Sequence, residues 1–326
     1  MNYLITNLVY GKTYAKIYLN AHLKSALDES NLHSIVDEYE TSYILYTDNE
    51  TKPVIESHPN WISLSSLIQT KIVVFNENIL NYNNRYDHLG TMLRDSIKNA
   101  LSSNSLLTAC VADWVFAKNF FPRTLKKISE GYDSVFVLPM RGASEIMLPS
   151  LSNKLGALED LDLFKLCYVC LHPLWVACHW DAPQFSRIPY CLIWNSHTGL
   201  VVRSFSHTPI VIKVYPEMVN ASMLDVDLPG FSKNIFWAKD WTDAPVIGCE
   251  PLECFYPAFA NIESSAPFIG REWCKNLHPT TIPYLNKTLY YPNKKIVNAS
   301  SELLDKSNQI INRIYYEWTK TKAKVS

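Results

Sequence analysis

Four times in the first 113 residues, a short run rich in β-branched and aromatic residues gives way to helical spacing or a polar loop. The runs cover residues 3–9, 42–47, 71–75 and 105–113. This alternation constrains the fold more than any other feature. A strand reaching a parallel neighbour needs a crossover, usually a helix, so the chain is expected to layer helices on a sheet. Between the runs, residues 14–27 place Tyr14, Ile17, Tyr18, Ala21 and Leu27 at helical intervals. Residues 61–68 fit a short helix or turn, and residues 84–100 put Leu89, Leu93, Ile97 and Ala100 on one face. A further helix over 115–128, despite Pro122, and a fifth strand over 134–140 complete the series. The expected fold class is α/β: a Rossmann-like, mostly parallel sheet flanked by helices, followed by an antiparallel and irregular C-terminal part.

That later part begins with a helix over 161–180, broken or kinked at Pro173. Strand signals at 190–194, 200–205 and 209–214 follow too closely for helical crossovers, which predicts antiparallel pairing. Residues 225–256 are irregular, and 301–318 form a last helix with Ser301 as its N-cap. The expected division is residues 1–150 and residues 151–326. No clear linker marks it, so one continuous domain is the other arrangement.

Composition excludes several classes. With 48% hydrophobic and 19% charged residues, the chain can bury a substantial core. Thirty basic residues against thirty-one acidic give no electrostatic reason to expect nucleic acid. Only 9 glycines, and no P-loop, G-x-G-x-x-G, G-x-S-x-G or H-E-x-x-H, argue against those phosphate-binding loops and hydrolytic sites. The opening residues lack a signal-peptide pattern, and no run approaches the ~20 apolar residues of a membrane span. A cytoplasmic protein is therefore expected. The basic stretch from Lys320 to Lys324 would allow peripheral membrane contact, although a solvated terminus explains it equally simply. Cys167, Cys170, Cys178, Cys249 and Cys254 read as buried thiols, because their spacing does not suit zinc.

Several residues could carry chemistry. Asp113 ends the fourth strand signal, where an open parallel sheet binds its ligands; a helix N-cap is the plainer role. Thr6, Asn7 and Tyr10 close the first strand, Asp48 closes the second, and Arg85 opens the long helix, so together they could meet a nucleotide. Asp225 and Asp227 form an acid-x-acid pair suited to a hard cation, although such pairs also arise in turns. His179, Trp180 and Asp181 combine an acid/base group with an aromatic platform for a sugar ring, or cap a kinked core helix. Arg203 and His207 bracket a strand end and could meet a phosphate or move a proton. Trp237 and Trp241 could line a groove.

The opening Tyr3-Leu-Ile-Thr-Asn-Leu-Val-Tyr-Gly11, the helix ending Leu23-Lys-Ser-Ala-Leu27 and the strand Tyr43-Ile-Leu-Tyr-Thr47 resemble bacterial nucleotide-sugar glycosyltransferases of the glycosyltransferase-A fold. The likeness spans roughly the first 230 residues. Val111-Ala-Asp113 stands where that family carries its metal-binding D-x-D, with Val111 replacing the first acid. The segment from Gly199 to Ile212, followed by Asp225-x-Asp227, also resembles an uncharacterised subgroup of this type. The resemblance implies a transferase of polysaccharide biosynthesis, passing a sugar from a nucleotide-activated donor to a glycan or lipid-linked acceptor. It implies donor contacts from Thr6, Asn7, Tyr10, Asp48, Arg85, Asp113 and Arg203, and acceptor contacts from Trp180, Trp237 and Trp241. Asp181, then His179, would be the base, with His207 assisting. Mn2+ or Mg2+ would sit at Asp225 and Asp227, unless the incomplete motif makes the action metal-independent. The alternative is a non-catalytic carbohydrate-binding or scaffold protein on a degenerate transferase fold; a nucleotidyltransferase is disfavoured by the missing glycine-rich basic loop.

Overall fold

The computed structural model describes residues 1–75, 85–154, 156–187, 189–221, 223, 225, 227–254, 262–274, 282–292 and 300–322. Its centre is a seven-stranded sheet. In chain order its strands are β1 (Asn2–Leu8), β2 (Glu40–Thr47), β3 (Gln69–Val74), β4 (Ser105–Val111), β6 (Ser134–Val137), β10 (Thr208–Lys213) and β11 (Ile235–Trp237). The spatial order is β11-β6-β10-β4-β1-β2-β3. β1 pairs in parallel with both β2 and β4, β2 with β3, and β11 with β6, whereas β10 runs antiparallel to β4 and β6.

The period-two geometry of a strand explains why this sheet is covered on both faces. Tyr3 and Ile5 of β1, Tyr43 and Leu45 of β2, and Leu106 and Cys110 of β4 enter one core. Their alternates, Leu4 and Leu8, Ile44 and Tyr46, Leu107 and Ala109, enter a second core on the opposite face. The helical run Gly11–Ile17, Tyr18–His22 and Leu23–Ala26, the helix Pro59–Leu67 and the helix Phe120–Ser129 contribute to the first core; Arg85–Ser102 covers the second. The expected α/β class and mostly parallel sheet are therefore present. The sheet draws strands from both sides of residue 150.

Five local expectations are corrected. The run at 105–113 stops at Val111, and the next strand, β5 (Trp114–Phe116), turns into a second sheet of order β5-β12-β7, with β7 at Met140–Ala143 and β12 at Val246–Glu250. The expected helix at 115–128 therefore begins only at Phe120, after Asn119 takes a left-handed φ of 60°. Pro122 fits inside its first turn, where the missing N–H costs no intrahelical bond. The expected fifth strand also splits, into β6 and β7. The third strand of the expected antiparallel group, β10, joins the central sheet instead of β8 (Cys191–Ser196) and β9 (Gly199–Ser204), which form a hairpin with β13 (Thr288–Pro292) added beside β9. The last helix, Ser301–Lys322, is capped by Ser300, whose hydroxyl oxygen accepts from the Leu303 amide at 3.3 Å.

Gly199 opens β9 with a φ of +145°, and an added Cβ would collide with the Tyr291 carbonyl oxygen. Strain and clash act together there. Gly199→Ala should cost at least about 2 kcal/mol in urea unfolding and lower the midpoint with little change in slope. An unchanged midpoint would show that this hairpin is packed otherwise.

Candidate functional site

The chain winds from β1 through β2 to β3 on one side, and then β4 takes the opposite side of β1. Strand order reverses between β1 and β4, where Leu8 and Val111 are register partners at the carboxyl ends. The loops leaving these ends must diverge, and such a switch point opens a crevice in an α/β sheet. A cavity of about 340 Å3 lies there, lined among others by Leu89, Val111, Asp113, Arg141, Tyr190, Ser206, Thr208 and Asp225.

Asp113 occupies the two-residue break between β4 and β5. No helix starts after it, so the N-cap role expected from its sequence setting does not apply. Its carbonyl accepts from the Cys249 amide at 2.7 Å, which ties it to β12. On the other side of Gly248, Nη1 of Arg141 donates to both carboxylate oxygens of Glu250 at 2.9 Å, and the guanidinium stands 5.0 Å from the Tyr190 ring centroid. Burial, then the negative charge of Glu250, push the Asp113 carboxyl up to about 6, although Arg141 pulls the other way. Burial opposes the charge on Arg141, but Glu250, Tyr190 and Asp113 raise its pKa further, so it stays a cation. Asp225 also lines the cavity, and its Oδ2 accepts from the Ser206 hydroxyl. The Ser206 amide in turn donates to Ser204 Oγ at 3.0 Å.

Of the residues singled out from the sequence, Asp113 and Asp225 line this cavity together. Asp227 does not line it: its Oδ2 accepts from the Met223 amide at 2.9 Å. Thr6 and Asn7 are buried within the sheet; Thr6 accepts from Ser96 at 3.0 Å, and Asn7 lies 3.1 Å from His22 Nε2. Tyr10 is half-buried beyond β1, with its ring 6.0 Å from that of His88. Asp48 closes the same rim, accepting from the Gly11 amide at 3.0 Å and the Thr51 amide at 2.6 Å. The helix Arg85–Ser102 begins at Arg85, whose side chain lies outside the described residues.

Arg203 is buried, donating to Ser307 Oγ and the Asn286 carbonyl, each at 3.1 Å, so it fastens β9 to the last helix. His179 is half-buried, its pKa lowered by burial against the opposing pull of Asp181, which is exposed. Neither lines the cavity. Trp180 stacks on Trp194 at 5.9 Å, and Trp241 is buried with its Nε1 donating to the Asp160 carbonyl at 3.1 Å. His207 is buried edge-on to Trp237 at 5.2 Å and Tyr284 at 5.5 Å. Burial, and then Lys287, push its imidazole down to about 3, so it is neutral near physiological pH.

The residues that sequence reasoning missed are Arg141, Glu250, Tyr190, Ser206 and Thr208. Arg141 had a signal: it immediately follows the expected strand at 134–140, the same strand-end placement that drew attention to Asp113. Glu250 had none, since its pairing spans 109 residues. Among the described residues, no group of three or more His, Cys, Asp or Glu is gathered for a metal. Two carboxylates facing one cavity still fit a cation that takes most of its oxygens from phosphate and water.

No protein-family model matches the chain, and no curated protein matches it. Among solved structures, mouse xyloside xylosyltransferase 1 in its apo form aligns at a TM-score of 0.28 and 9% identity, covering 45% of this chain and 55% of that one. A Bacillus anthracis protein assigned as a glucose-1-phosphate thymidylyltransferase, solved with a sucrose, aligns at 0.27 and 11%, covering 45% and 57%. An apo UDP-glucose pyrophosphorylase aligns at 0.25 and 11%, covering 97% and 99%. The chain spans a little over half the length of the first two. Likenesses this slight carry no weight beside the strand order and the cavity.

The Asp113 shift has a stability consequence. As pH rises, the unfolded chain releases this proton near 3.8 and the folded chain near 6. For this group the native state therefore loses stability across that window and stays at its lowest above it. Asp113→Asn should raise stability by on the order of 1 kcal/mol above about pH 7, with no gain below about pH 4. Denaturation of both proteins across pH checks this; a destabilised variant above pH 7 would mean that Arg141 outweighs burial.

Proposed function

We propose that the cavity binds a nucleotide-activated sugar and that the chain transfers the sugar to a glycan or lipid-linked acceptor. The observation that carries this reading is one half-buried carboxylate, Asp113, at the switch point of the sheet, facing an arginine held in place by Glu250. The crevice beyond β1 and β4 suits a nucleotide, with Tyr10 at its rim. A departing nucleoside diphosphate gathers negative charge, and a fixed Arg141 would stabilise that charge as it develops.

Asp113, with its pKa raised toward neutrality, is suited to accept a proton from the acceptor hydroxyl in an inverting transfer. It is better placed for this than Asp181, which is exposed and outside the cavity lining. Asp225, oriented by Ser206, could hold Mn2+ or Mg2+ against the diphosphate. Such a cation would supply Lewis-acid stabilisation of the leaving group. A second reading, a non-catalytic carbohydrate-binding protein, is favoured by one observation: the cavity wall presents apolar Val111 where the resemblance called for a second acid.

Thermal shift with UDP, GDP and CMP, each with manganese and with chelator, tests the donor site. One nucleotide should stabilise the chain, by ~2.7 kcal/mol at about 100 times its Kd. A flat response to all three would contradict the proposal. Activity separates the two readings: with the matching nucleotide-sugar, Asp113→Asn should keep nucleotide binding and lose roughly 10²- to 10⁴-fold in transfer. Transfer at the unmodified rate would remove Asp113 from the chemistry.

A further inference from the structure

A second open space, larger than the switch-point cavity, lies elsewhere on the chain. A groove of about 740 Å3 runs beside β11, one edge strand of the central sheet. The chain leaving β11 is tied to β13 there by the Tyr290 amide, which donates to the Lys239 carbonyl at 2.9 Å. The rings of Tyr132, Phe236, Trp237 and Tyr290 line the groove together with Lys239 and Lys287. Both lysines are exposed, and among the described residues neither is paired with a carboxylate. The one acid in the lining, Asp240, is engaged by its own turn: Oδ1 accepts from the Thr242 amide at 2.8 Å and hydroxyl at 2.9 Å.

The Lys287 ammonium stands 5.6 Å from the Trp237 ring centroid, and flat rings beside ammonium groups that no described carboxylate neutralises suit one chemical class. An acidic sugar chain presents C–H faces to aromatic rings and carboxylates to lysines. A neutral chain or an acyl chain would leave both ammonium charges without a carboxylate. The groove also adjoins the cavity. Trp237 packs on His207, whose chain neighbours Ser206 and Thr208 line the cavity, so a single residue separates the two walls. His207 finds no hydrogen-bond partner for either ring nitrogen among the described residues, and neither does the Tyr284 hydroxyl, which lies on the same wall.

We propose that this groove holds an acidic glycan, and that the glycan is the acceptor whose end reaches the switch-point cavity. Its use as acceptor rests on the transfer reaction proposed above; the binding does not. Titration of the full chain with a short oligogalacturonate, followed by tryptophan fluorescence and calorimetry, tests it, with a maltooligosaccharide of equal length as the neutral control. The acidic oligomer should bind, more tightly than the neutral one, and weaken at about 0.5 M salt. The double variant Lys239→Ala/Lys287→Ala, which alters two exposed side chains, should lose at least about fivefold in affinity while keeping its nucleotide response. Trp237→Phe should reduce the fluorescence change. No binding, equal binding of both oligomers, or unchanged affinity in the double variant would overturn the groove assignment. Oligomer binding without any nucleotide response would leave the groove standing and remove the transfer reaction instead.

Discussion

The double pairing of β1, with β2 on one side and β4 on the other, is the constraint from which the rest follows. Residues Asn2 to Leu8 keep unbroken parallel register with both neighbours. Because the chain goes from β1 to β2 on one side and from β4 to β6 on the other, nothing in the sheet can close the space beyond Leu8 and Val111. That space becomes a site only because β5 turns away at Asp113 and brings the second sheet, with Arg141 and Glu250, over the opening. The charges at the rim are therefore held by backbone pairing: Gly248 of β12 is registered against Trp114 of β5, and Glu250 against Ala143 of β7. Few long side-chain searches are needed to place them.

Much of the sheet was legible because it is written in local pattern. The near-continuous apolar runs of β1, β2 and β4 read as strands covered on both faces. Asp113 stood out because a carboxylate closes an otherwise apolar run. What the sequence hid was non-local. β10 reads like a partner for β8 and β9, and nothing in its residues says that it crosses to lie between β4 and β6. Arg203 looked like a ligand because it ends a strand, yet its partners Ser307 and Asn308 lie over a hundred residues on, and they turn it into a clasp. The acid pair at Asp225 and Asp227 suggested two ligands; a local amide contact at Asp227 leaves one acid facing the cavity.

The site also shows how burial divides groups of one type. Asp113 and Asp48 both follow strands at the same edge of the sheet. Asp48 accepts from the Gly11 amide and from the Thr51 amide and hydroxyl, and so ties the rim together. Asp113 has desolvation and Glu250 working against its charge. Structural acids are held by donors, whereas an acid held away from its preferred charge state is costly to keep and is a mark of functional sites. His207 follows the same logic: a buried, neutral imidazole without a described partner sits in the wall between the cavity and the groove.

The central claim is that the crevice beyond β1 and β4 is where the ligand sits. A crystal structure of the full chain soaked with a nucleoside diphosphate sugar addresses this directly. The account predicts density beyond Leu8 and Val111, with the diphosphate within hydrogen-bond reach of Arg141 and the sugar beside Asp113. Ordered nucleotide bound elsewhere, with Asp113 and Arg141 untouched, would contradict it.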